Sequence, residues 1–337
     1  MSRTQSEEFR AFWGGPPLTA YEELSLTSVV SRGHHVMLYS YDKALRVPAG
    51  VELLSAEEIL PGTIHEFVYP NGDRSIALQS DLFRYEVLRR YGGWYFDLDI
   101  VLLSEDLPSD PIFLARQDKH FVNAAVMKFS PDHPLMKLAA DNARSLVDSC
   151  EWGSIGPRLL TRLVNDHGMG HLLSPQAAAF VIQPDDVPLL FMPEHRAALE
   201  GRVSGANFVH LWNEIWRRAR VLKGYGPPEG SFLDVLFRRF GITVPPAGRL
   251  SAQAVESWFR EMHLVRAIKQ MYGEDFHTRD LAIGIEKALW EREYMLRSPS
   301  WRVTVPLRWL IKTVRRVSAA TARWKLARRN SATARHR

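Results

Sequence analysis

One run of residues constrains this chain more than any other, because a helical pattern leads through two glycines into an apolar segment that carries two acids. The run is SDLFRYEVLRRYGGWYFDLDIVLL, residues 80–103. Its WYFDLDIVLL part has the aromatic and β-branched content of a buried strand. The two carboxylates, Asp97 and Asp99, cost free energy in such a strand unless a cation meets them. The run therefore predicts a helix, a tight turn at Gly92-Gly93, and a strand with a cation beside it.

The elements around this run predict an α/β fold. Residues 8–15 have the pattern of a first strand, and residues 19–33 have the pattern of a helix that ends at Gly33. Thr19 is its N-cap and Glu22 completes a capping box. A second strand, HHVMLYSY, comes next, and a helix between two strands is the connection that a parallel pair needs. Further strand and helix patterns follow at 121–129, 133–148, 156–168 and 206–213.

Charge is concentrated at the C-terminal end. Residues 301–337 contain 11 of the 43 lysines and arginines and no acid, which leaves 32 basic against 38 acidic residues in 1–300. The basic balance is therefore a property of the tail and does not indicate nucleic-acid binding by the main domain. We expect an α/β domain over 1–245, a helical extension over 246–300 and a basic tail over 301–337.

Cysteine usage and hydropathy bear on the compartment. The single cysteine, Cys150, excludes an intrachain disulfide and favours a reducing environment. The sequence shows neither a signal-peptide pattern nor an apolar run of 18 residues. We expect a cytoplasmic location, with peripheral association at the inner face of the membrane.

Two acids separated by one residue project to the same side of a strand. At the C-terminal end of a strand in an open α/β sheet, such a pair lies where ligands bind. Carboxylate oxygens are the ligands that Mn²⁺ and Mg²⁺ prefer, and these ions also take phosphates and waters. On the preceding helix, Asp81 and Arg84 are three residues apart and therefore share a face. The alternatives are solvated acids at a turn and a surface helix pair worth about 0.3–0.5 kcal/mol.

The sequence of residues 80–103, with Asp81, Arg84, Asp97 and Asp99, closely resembles the signature of the DXD-containing, sugar-binding-region glycosyltransferases. That family includes the family 32 polysaccharide and mannosyl transferases and the α-1,4-galactosyltransferases, with the clostridial glucosylating toxins as more distant relatives. The segments FWGGPPLTAYEELSLTSVVSRGHHVMLYSYD, VNAAVMKFSPDHPLM, GPRLL and VHLWN resemble its other landmarks in order. The resemblance extends from Phe12 to Trp216. It implies a GT-A fold (a Rossmann-like nucleotide-sugar-binding α/β fold) with a helical C-terminal region.

The resemblance also implies a reaction and a set of residues. The reaction is transfer of a sugar, with retention of configuration, from a nucleotide-sugar donor to a glycan or glycolipid acceptor, with Mn²⁺ or Mg²⁺ as cofactor. Asp97, Asp99 and Arg84 would be catalytic, and Asp99, Asp97 and His210 would bind the metal. The donor would be bound by Trp13, Asp81, Arg84, Tyr95, Asp97, Asn123 and Trp212. A structural histidine at His210, a core tryptophan at Trp13 and a hydrogen-bonded buried Asn123 are the alternatives for those positions.

The basic tail carries a second pattern. Apolar residues past Pro306 recur at spacings of three and four, with arginines and lysines between them and Trp301, Trp309 and Trp324 nearby. A basic amphipathic helix with such tryptophans is typical of an anionic membrane surface. The alternatives are a helix packed on the domain and a solvated tail. No nucleic-acid-binding module is recognised there.

Three other functions remain open from the sequence. The first is an effector-like transferase that glycosylates a protein. The second is a nucleotide-sugar-binding or scaffold protein without turnover, which the presence of both acids and of the Asp81 and Arg84 pair disfavours. The third is a metal-dependent phosphoesterase, which would use more histidine and aspartate ligands than this run offers. The leading hypothesis is a transferase of surface-polysaccharide biosynthesis.

Overall fold

A computed structural model describes residues 6–62, 64–68, 74–147 and 153–272. The described strands are β1 (Glu8–Trp13), β2 (His35–Ser40), β3 (Val51–Ser55), β4 (Phe67–Val68), β5 (Arg74–Ser75), β6 (Gly93–Phe96), β7 (Ile100–Leu102), β8 (Phe113–Arg116), β9 (Val122–Phe129) and β10 (Phe208–His210). The described α-helices are α1 (Ala20–Val30), α2 (Ala77–Tyr91), α3 (Pro134–Leu146), α4 (Pro157–Asp166), α5 (Arg196–Arg202), α6 (Asn213–Arg218), α7 (Phe232–Arg239) and α8 (Ala252–Tyr272). Short 3₁₀ helices lie at Ala56–Glu58, Met169–Leu172, Gln176–Ala178, Pro184–Phe191 and Pro193–His195.

A six-stranded mixed sheet, in the order β3-β2-β1-β6-β9-β8, forms the centre of the fold. Strands β3, β2, β1 and β6 are parallel to one another, and β9 runs antiparallel to both of its neighbours, β6 and β8, so β8 has the same direction as β6. From β1 the chain goes to β2 on one side and later to β6 on the other, so the strand order reverses between β1 and β6. Ligands of open α/β sheets bind outside the carboxyl ends of the strands at such a point. The predicted α/β class, with helices toward the C-terminal side, is confirmed.

Both faces of the sheet are covered, which explains why its strands are apolar on both sides. One buried cluster joins Tyr95 of β6 to residues of α2, α3 and α4. The other joins Trp94 and Phe96 of the same strand to residues of α1, β7 and β10. Alternate residues of β6 therefore enter opposite cores, as strand geometry requires.

The predicted helix and glycine turn before β6 are confirmed. Helix α2 ends at Tyr91, and Gly92 and Gly93 both have positive φ, at 63° and 75°. A Cβ atom on Gly92 would lie 2.5 Å from Pro131. The chain therefore needs glycine here both for the left-handed backbone and for the close approach of another segment.

The single strand predicted over WYFDLDIVLL is wrong, because the structure divides it. Strand β6 stops at Phe96, and the N–H of Ile100 donates to the carbonyl of Asp97 at 3.0 Å, which closes a turn over the two acids. Strand β7 then leaves the central sheet and pairs antiparallel with β10. The turn places both carboxylates at the edge of the sheet, whereas a continuous strand would have buried them within it.

The chain divides into two compact units, Met1–Met262 and His263–Arg337. The first contains the central sheet and helices α1 to α7. Of the second, the structure describes residues 263–272, the end of α8. About half of the predicted extension, 273–300, and the whole predicted tail, 301–337, lie outside the described residues. Within the described part, no helix combines the length and the apolar content needed to cross a membrane.

Candidate active site

The candidate site lies at the carboxyl ends of β1 and β6, where the strand order reverses. Trp13 is the last residue of β1, and Asp97 follows the last residue of β6. The N–H of Asp97 donates to the carbonyl of Ala125 at 2.7 Å, which continues the ladder between β6 and β9 by one bond. This bond fixes the backbone of Asp97 at the sheet edge.

Arg84 lies at the centre of the site and contacts two acids. Its Nη1 donates to Asp81 Oδ1 at 2.7 Å, and its Nη2 donates to Asp97 Oδ1 and Oδ2 at 2.9 and 2.8 Å. The side chain of Arg84 is only 8% exposed. The helical spacing of Asp81 and Arg84 therefore does bring both side chains to one place, and the turn after β6 adds Asp97.

Burial and the ion pairs have opposite effects on the pKa values of Asp81, Arg84 and Asp97. Burial raises the pKa of Asp97 to about 6, against the opposing effect of Arg84. Burial also raises the pKa of Asp81, again opposed by Arg84. Burial works to lower the pKa of Arg84, but the two carboxylates raise it well above the ordinary value, so the guanidinium is permanently charged.

Tyr95 and Ser80 complete the surroundings of Asp97. The hydroxyl of Tyr95 donates to Asp97 Oδ1 at 3.1 Å, and Ser80 Oγ lies 3.4 Å from the same hydroxyl. Arg84 Nη2 also donates to Ser80 Oγ at 3.3 Å. Trp94, the neighbour of Tyr95 on β6, enters the opposite core and stacks on Phe9 with ring centroids 5.3 Å apart.

Asp99 has a different set of partners. Its Oδ2 accepts the N–H of Asn213 at 2.8 Å and lies 3.1 Å from His210 Nε2, while its carbonyl accepts the N–H of Leu211. Burial would raise the pKa of Asp99, but His210 and the bond from Asn213 outweigh it and lower the pKa. Asp99 therefore stays ionised when Asp97 begins to take up a proton.

The backbone next to Asp99 is strained. Trp212 adopts the left-handed conformation, with φ 60° and ψ 52°. That conformation costs a residue other than glycine on the order of 1–3 kcal/mol. It turns the chain between His210 and Asn213 so that the side chain of one residue and the N–H of the other both reach Asp99 Oδ2. The strain thus lies beside the groups that orient one of the predicted metal ligands.

The predicted metal ligands are only partly gathered. Among the described residues, no group of three or more histidine, cysteine, aspartate or glutamate side chains is arranged to hold a metal ion. Asp99 and His210 meet, whereas Asp97 is engaged by Arg84. Protein groups already face both carboxylates in the structure, Arg84 at Asp97 and His210 at Asp99, and burial without such partners would cost free energy. The metal expected from the sequence stays a prediction.

The donor types of Asp99 and His210, a carboxylate oxygen and an imidazole nitrogen, are nevertheless ones that divalent ions accept. Neighbouring ligands of an octahedral ion with bonds of about 2.0–2.1 Å are about 3 Å apart. In the structure Asp99 Oδ2 and His210 Nε2 are 3.1 Å apart and hydrogen-bonded to each other, so a bound ion would take the place of that hydrogen bond. Such an ion is commonly bound through one or two protein ligands plus substrate phosphates and waters, so two ligands suffice.

Gly156, at the start of α4, closes the site behind Asp81. A Cβ atom at this position would lie 2.8 Å from Asp81 Oδ2, and the hydroxyl of Tyr85 donates to the carbonyl of Ile155 at 3.1 Å. The GPRLL segment was recognised in the sequence as a landmark, but its contact with Asp81 was missed. The only sequence signal was the glycine directly before the helix-starting Pro157.

The remaining predicted residues have structural partners. Trp13 is partly exposed and its Nε1 donates to the carbonyl of Pro16 at 2.7 Å. Asn123 is buried, donates to Gln117 Oε1 at 2.8 Å and accepts the N–H of Ala125. Trp212 donates to the carbonyl of Ile182 and packs on the ring of His210 at 4.1 Å. Their roles in donor binding stay predictions.

The comparisons with known proteins concern the stretch that holds this site. Residues 61–113, which contain Asp81, Arg84, Asp97 and Asp99, match the family described as "Glycosyltransferase sugar-binding region containing DXD motif". The resemblance stated from the sequence is thereby confirmed for this stretch.

Two human proteins are similar over part of their length. The chain is 31% identical to an alpha-1,4-N-acetylglucosaminyltransferase over 89 residues, 26% of each protein. It is 26% identical to a lactosylceramide 4-alpha-galactosyltransferase over 150 residues, 41% of this chain and 42% of that protein. The chain therefore spans between about a quarter and two-fifths of the length of these relatives.

Two solved structures show a weak likeness. The galactosyltransferase LgtC, solved with donor and acceptor sugar analogues, aligns with a TM-score of 0.39 and 10% identity, over 71% of this chain and 98% of that one. The PaToxG glycosyltransferase aligns with a TM-score of 0.36 and 14% identity, over 49% of this chain and 70% of that one.

Proposed function

We propose that the protein is a metal-dependent, retaining hexosyltransferase that uses a nucleotide sugar as donor. The proposed donor is a UDP-sugar. One observation carries the proposal. Asp81, Arg84 and Asp97 of the DXD-type region form one hydrogen-bonded group at the carboxyl edge of the sheet where the strand order reverses, and Asp99 lies two residues further along the same turn. A nucleotide-sugar donor is a ligand of the kind that this edge binds in α/β proteins.

In this proposal the donor lies between the ends of β1 and β6. Trp13 flanks the base, and Tyr95, Asn123 and Trp212 line the remainder of the donor site. Asp81 accepts hydrogen bonds from the donor sugar, and Arg84 faces the diphosphate. Because Arg84 is already fixed by Asp81 and Asp97, its charge is in place before the donor arrives, which is the condition for effective electrostatic stabilisation.

The chemistry follows from the charge that develops on the leaving group. As the bond between the sugar and the phosphate breaks, negative charge grows on the nucleoside diphosphate, and the Arg84 guanidinium stabilises it. A divalent ion held by Asp99 and His210, with Asp97 beside it, would supply further positive charge to the same oxygens. Ionised Asp99 suits this role, since metal ligands must be deprotonated.

Retention of configuration is supported by the names of the relatives. They describe α-linked products, and UDP-galactose and UDP-N-acetylglucosamine hold their sugar in the α configuration. An α-linked product therefore means net retention. The proposal uses attack of the acceptor on the same face from which the diphosphate departs, with a phosphate oxygen taking the acceptor proton.

The proposed acceptor is a glycan or a lipid-linked glycan in surface-polysaccharide biosynthesis. A relative whose name contains lactosylceramide supports an acceptor attached to a lipid. The basic tail, 301–337, would then hold the protein peripherally at an anionic membrane surface from the cytoplasmic side. The tail lies outside the described residues, so this part of the proposal rests on the sequence pattern.

A thermal-shift panel tests the proposed function. The protein is melted with UDP, GDP and their sugars, each with and without Mn²⁺, because a ligand that binds only the native state raises its stability. We expect a Mn²⁺-dependent shift with the UDP ligands, lost in Asp99→Asn. Asp234→Asn is the matched control. Asp234 is also a buried, ion-paired aspartate, but it lies on α7 and its partners are Arg238 and Arg249.

Two outcomes would contradict the proposal. If the folded wild type shows no shift with any nucleotide, it does not bind such a donor. If Asp99→Asn retains the full Mn²⁺-dependent shift, the metal assignment is wrong. Release of UDP from the sugar donor, measured on the same samples, separates a transferase from a protein that binds the donor without turnover.

A further inference from the structure

Glu22 is a fully buried carboxylate whose two oxygens serve different parts of the protein. It lies in the first turn of α1 and its side chain is 0% exposed. Its Oε2 accepts the N–H of Thr19 at 2.9 Å and the hydroxyl of Thr19 at 2.6 Å. These bonds form the capping box that starts the helix, so this oxygen has a local, structural role.

The other oxygen faces the candidate site. Glu22 Oε1 accepts from Asn213 Nδ2 at 3.3 Å and forms an ion pair with Lys223 Nζ. Neither contact is needed to start α1, and the partners lie 191 and 201 residues away in the sequence. The capping of α1 uses only Oε2, so it does not explain why Oε1 is buried and bound to distant residues.

Each partner of Oε1 reaches one end of the proposed donor site. The backbone N–H of Asn213 donates to Asp99 Oδ2 at 2.8 Å, at the metal end. Lys223 Nζ lies 6.0 Å from the ring centroid of Trp13, at the base end. Because both partners share one oxygen, Glu22 links the residue that orients Asp99 to a cation beside Trp13.

Asn213 also has a feature that its backbone role does not explain. Its Oδ1 is buried and has no hydrogen-bond partner among the described residues. The amide orientation is set by Glu22, since a carboxylate can only accept and the NH₂ group must face it. Without Glu22 Oε1, the side chain of Asn213 would have no charged group to hold it, and the backbone beside Asp99 would lose that support.

We propose that Glu22 is a positioning residue that couples the two ends of the donor site, through Asn213 to Asp99 and through Lys223 to Trp13. The inference rests on the proposed function, because it concerns the site at which Mn²⁺ and UDP would bind. Glu22 itself touches neither ligand in this proposal. Its effect is on affinity, through the residues it holds.

Glu22→Gln separates the two roles. Glutamine completes a capping box as well as glutamate does, so its oxygen remains with Thr19. Its NH₂ group then faces Lys223 Nζ, which loses its acceptor, and faces Asn213, whose amide can pair with it only by turning its Oδ1 toward residue 22. We expect the helix to form, the ion pair with Lys223 to be lost and the orientation of the Asn213 side chain to change.

The experiment measures binding of Mn²⁺ by electron paramagnetic resonance and of UDP with Mn²⁺ by calorimetry, neither of which requires turnover. We expect Glu22→Gln to weaken Mn²⁺ binding about tenfold, the low end of the effect of losing an outer-shell partner. UDP binding should weaken as well. Two controls should leave both affinities unchanged while lowering stability.

The controls remove equivalent interactions elsewhere. Glu86→Gln removes the charge of another carboxylate that is 0% exposed. Glu86 lies on α2 and is paired with Arg89 and with Arg144 of α3. Thr19→Ala removes the capping hydroxyl but keeps the contacts of Glu22 Oε1. Asn213→Ala is a second test of the link, since it keeps the N–H to Asp99 and loses only the side chain held by Glu22.

The outcomes are distinct. Weaker Mn²⁺ binding in Glu22→Gln and Asn213→Ala, with unchanged affinity in Glu86→Gln and Thr19→Ala, supports the proposal. Unchanged affinity in Glu22→Gln overturns it, as does an equal loss in all four variants. If Glu22→Gln does not fold, Asn213→Ala decides. A wild type that binds neither Mn²⁺ nor UDP refutes the proposed function, and the role of Glu22 falls with it.

Discussion

Replacing Arg84 by methionine tests whether this arginine is the main counter-charge of the site. Arg84 makes one charged bond to Asp81 and two to Asp97. Methionine fills a similar volume and removes the charge. Two carboxylates whose side chains are only 11% and 24% exposed are then left without a cation.

The magnitude follows from that burial. Removing one partner of a buried ion pair costs about 3–5 kcal/mol, because the remaining charge is uncompensated. Near pH 8 the cost of Arg84→Met should lie within this range. The loss of a partner by two carboxylates raises the cost, and the partial exposure of Asp97 to water lowers it. By contrast, the triple variant Asp81→Asn, Arg84→Met, Asp97→Asn removes all the charges, and it should recover about 2 kcal/mol or more of the loss.

The loss should also depend on pH. Burial raises the folded-state pKa of both Asp81 and Asp97, the latter to about 6, above an unfolded value of about 3.9. A raised folded-state pKa gives stability that is fully present below the unfolded pKa and is lost as pH rises through the folded pKa. Without Arg84 both values rise further, so the deficit should shrink by about 1–2 kcal/mol between pH 8 and pH 5.

Urea unfolding followed by circular dichroism at pH 5, 6.5 and 8 measures these differences for wild type, single variant and triple variant. Two results would refute the reasoning. One is a deficit of Arg84→Met that is the same at pH 5 and pH 8. The other is a triple variant no more stable than the single variant at pH 8.

Two further predictions concern Gly156, which lies behind Asp81, and the basic tail. Gly156→Ala places a methyl group against Asp81 Oδ2, so we expect UDP-sugar affinity to fall about tenfold or more, about 1.4 kcal/mol. Gly201→Ala, on α5, serves as the control, because its backbone does not have positive φ and no heavy atom lies within 4 Å of the added Cβ; equal affinity in both variants would contradict the prediction. Deleting 301–337 should reduce sedimentation with anionic liposomes, and unchanged sedimentation would refute membrane binding by the tail.

The sequence by itself determined the local parts of this protein. The helix that ends in two glycines was predicted because its apolar residues repeat with helical spacing and glycine alone accommodates the turn. The pairing of Asp81 with Arg84 was predicted because residues three apart share a helix face. The Thr19 and Glu22 capping box was predicted from a four-residue pattern. In each case the interacting groups are close in sequence, so the pattern contains the geometry.

The structure decided what depends on strand pairing. The break between β6 and β7 could not be read from an apolar run, because both halves have the composition of strands and only their pairing with β9 and β10 separates them. The partners of Asp99, His210 and Asn213, are 111 and 114 residues away. No spacing rule connects groups so far apart.

The two oxygens of Glu22 show the same division within one side chain. The oxygen that caps α1 was predictable, since Thr19 is three residues away. The oxygen that binds Asn213 and Lys223 was not, because its partners are placed by the whole fold. Local hydrogen bonds and side-chain periodicity are properties of a short segment, whereas a buried charge takes whichever partner the packed structure brings within reach.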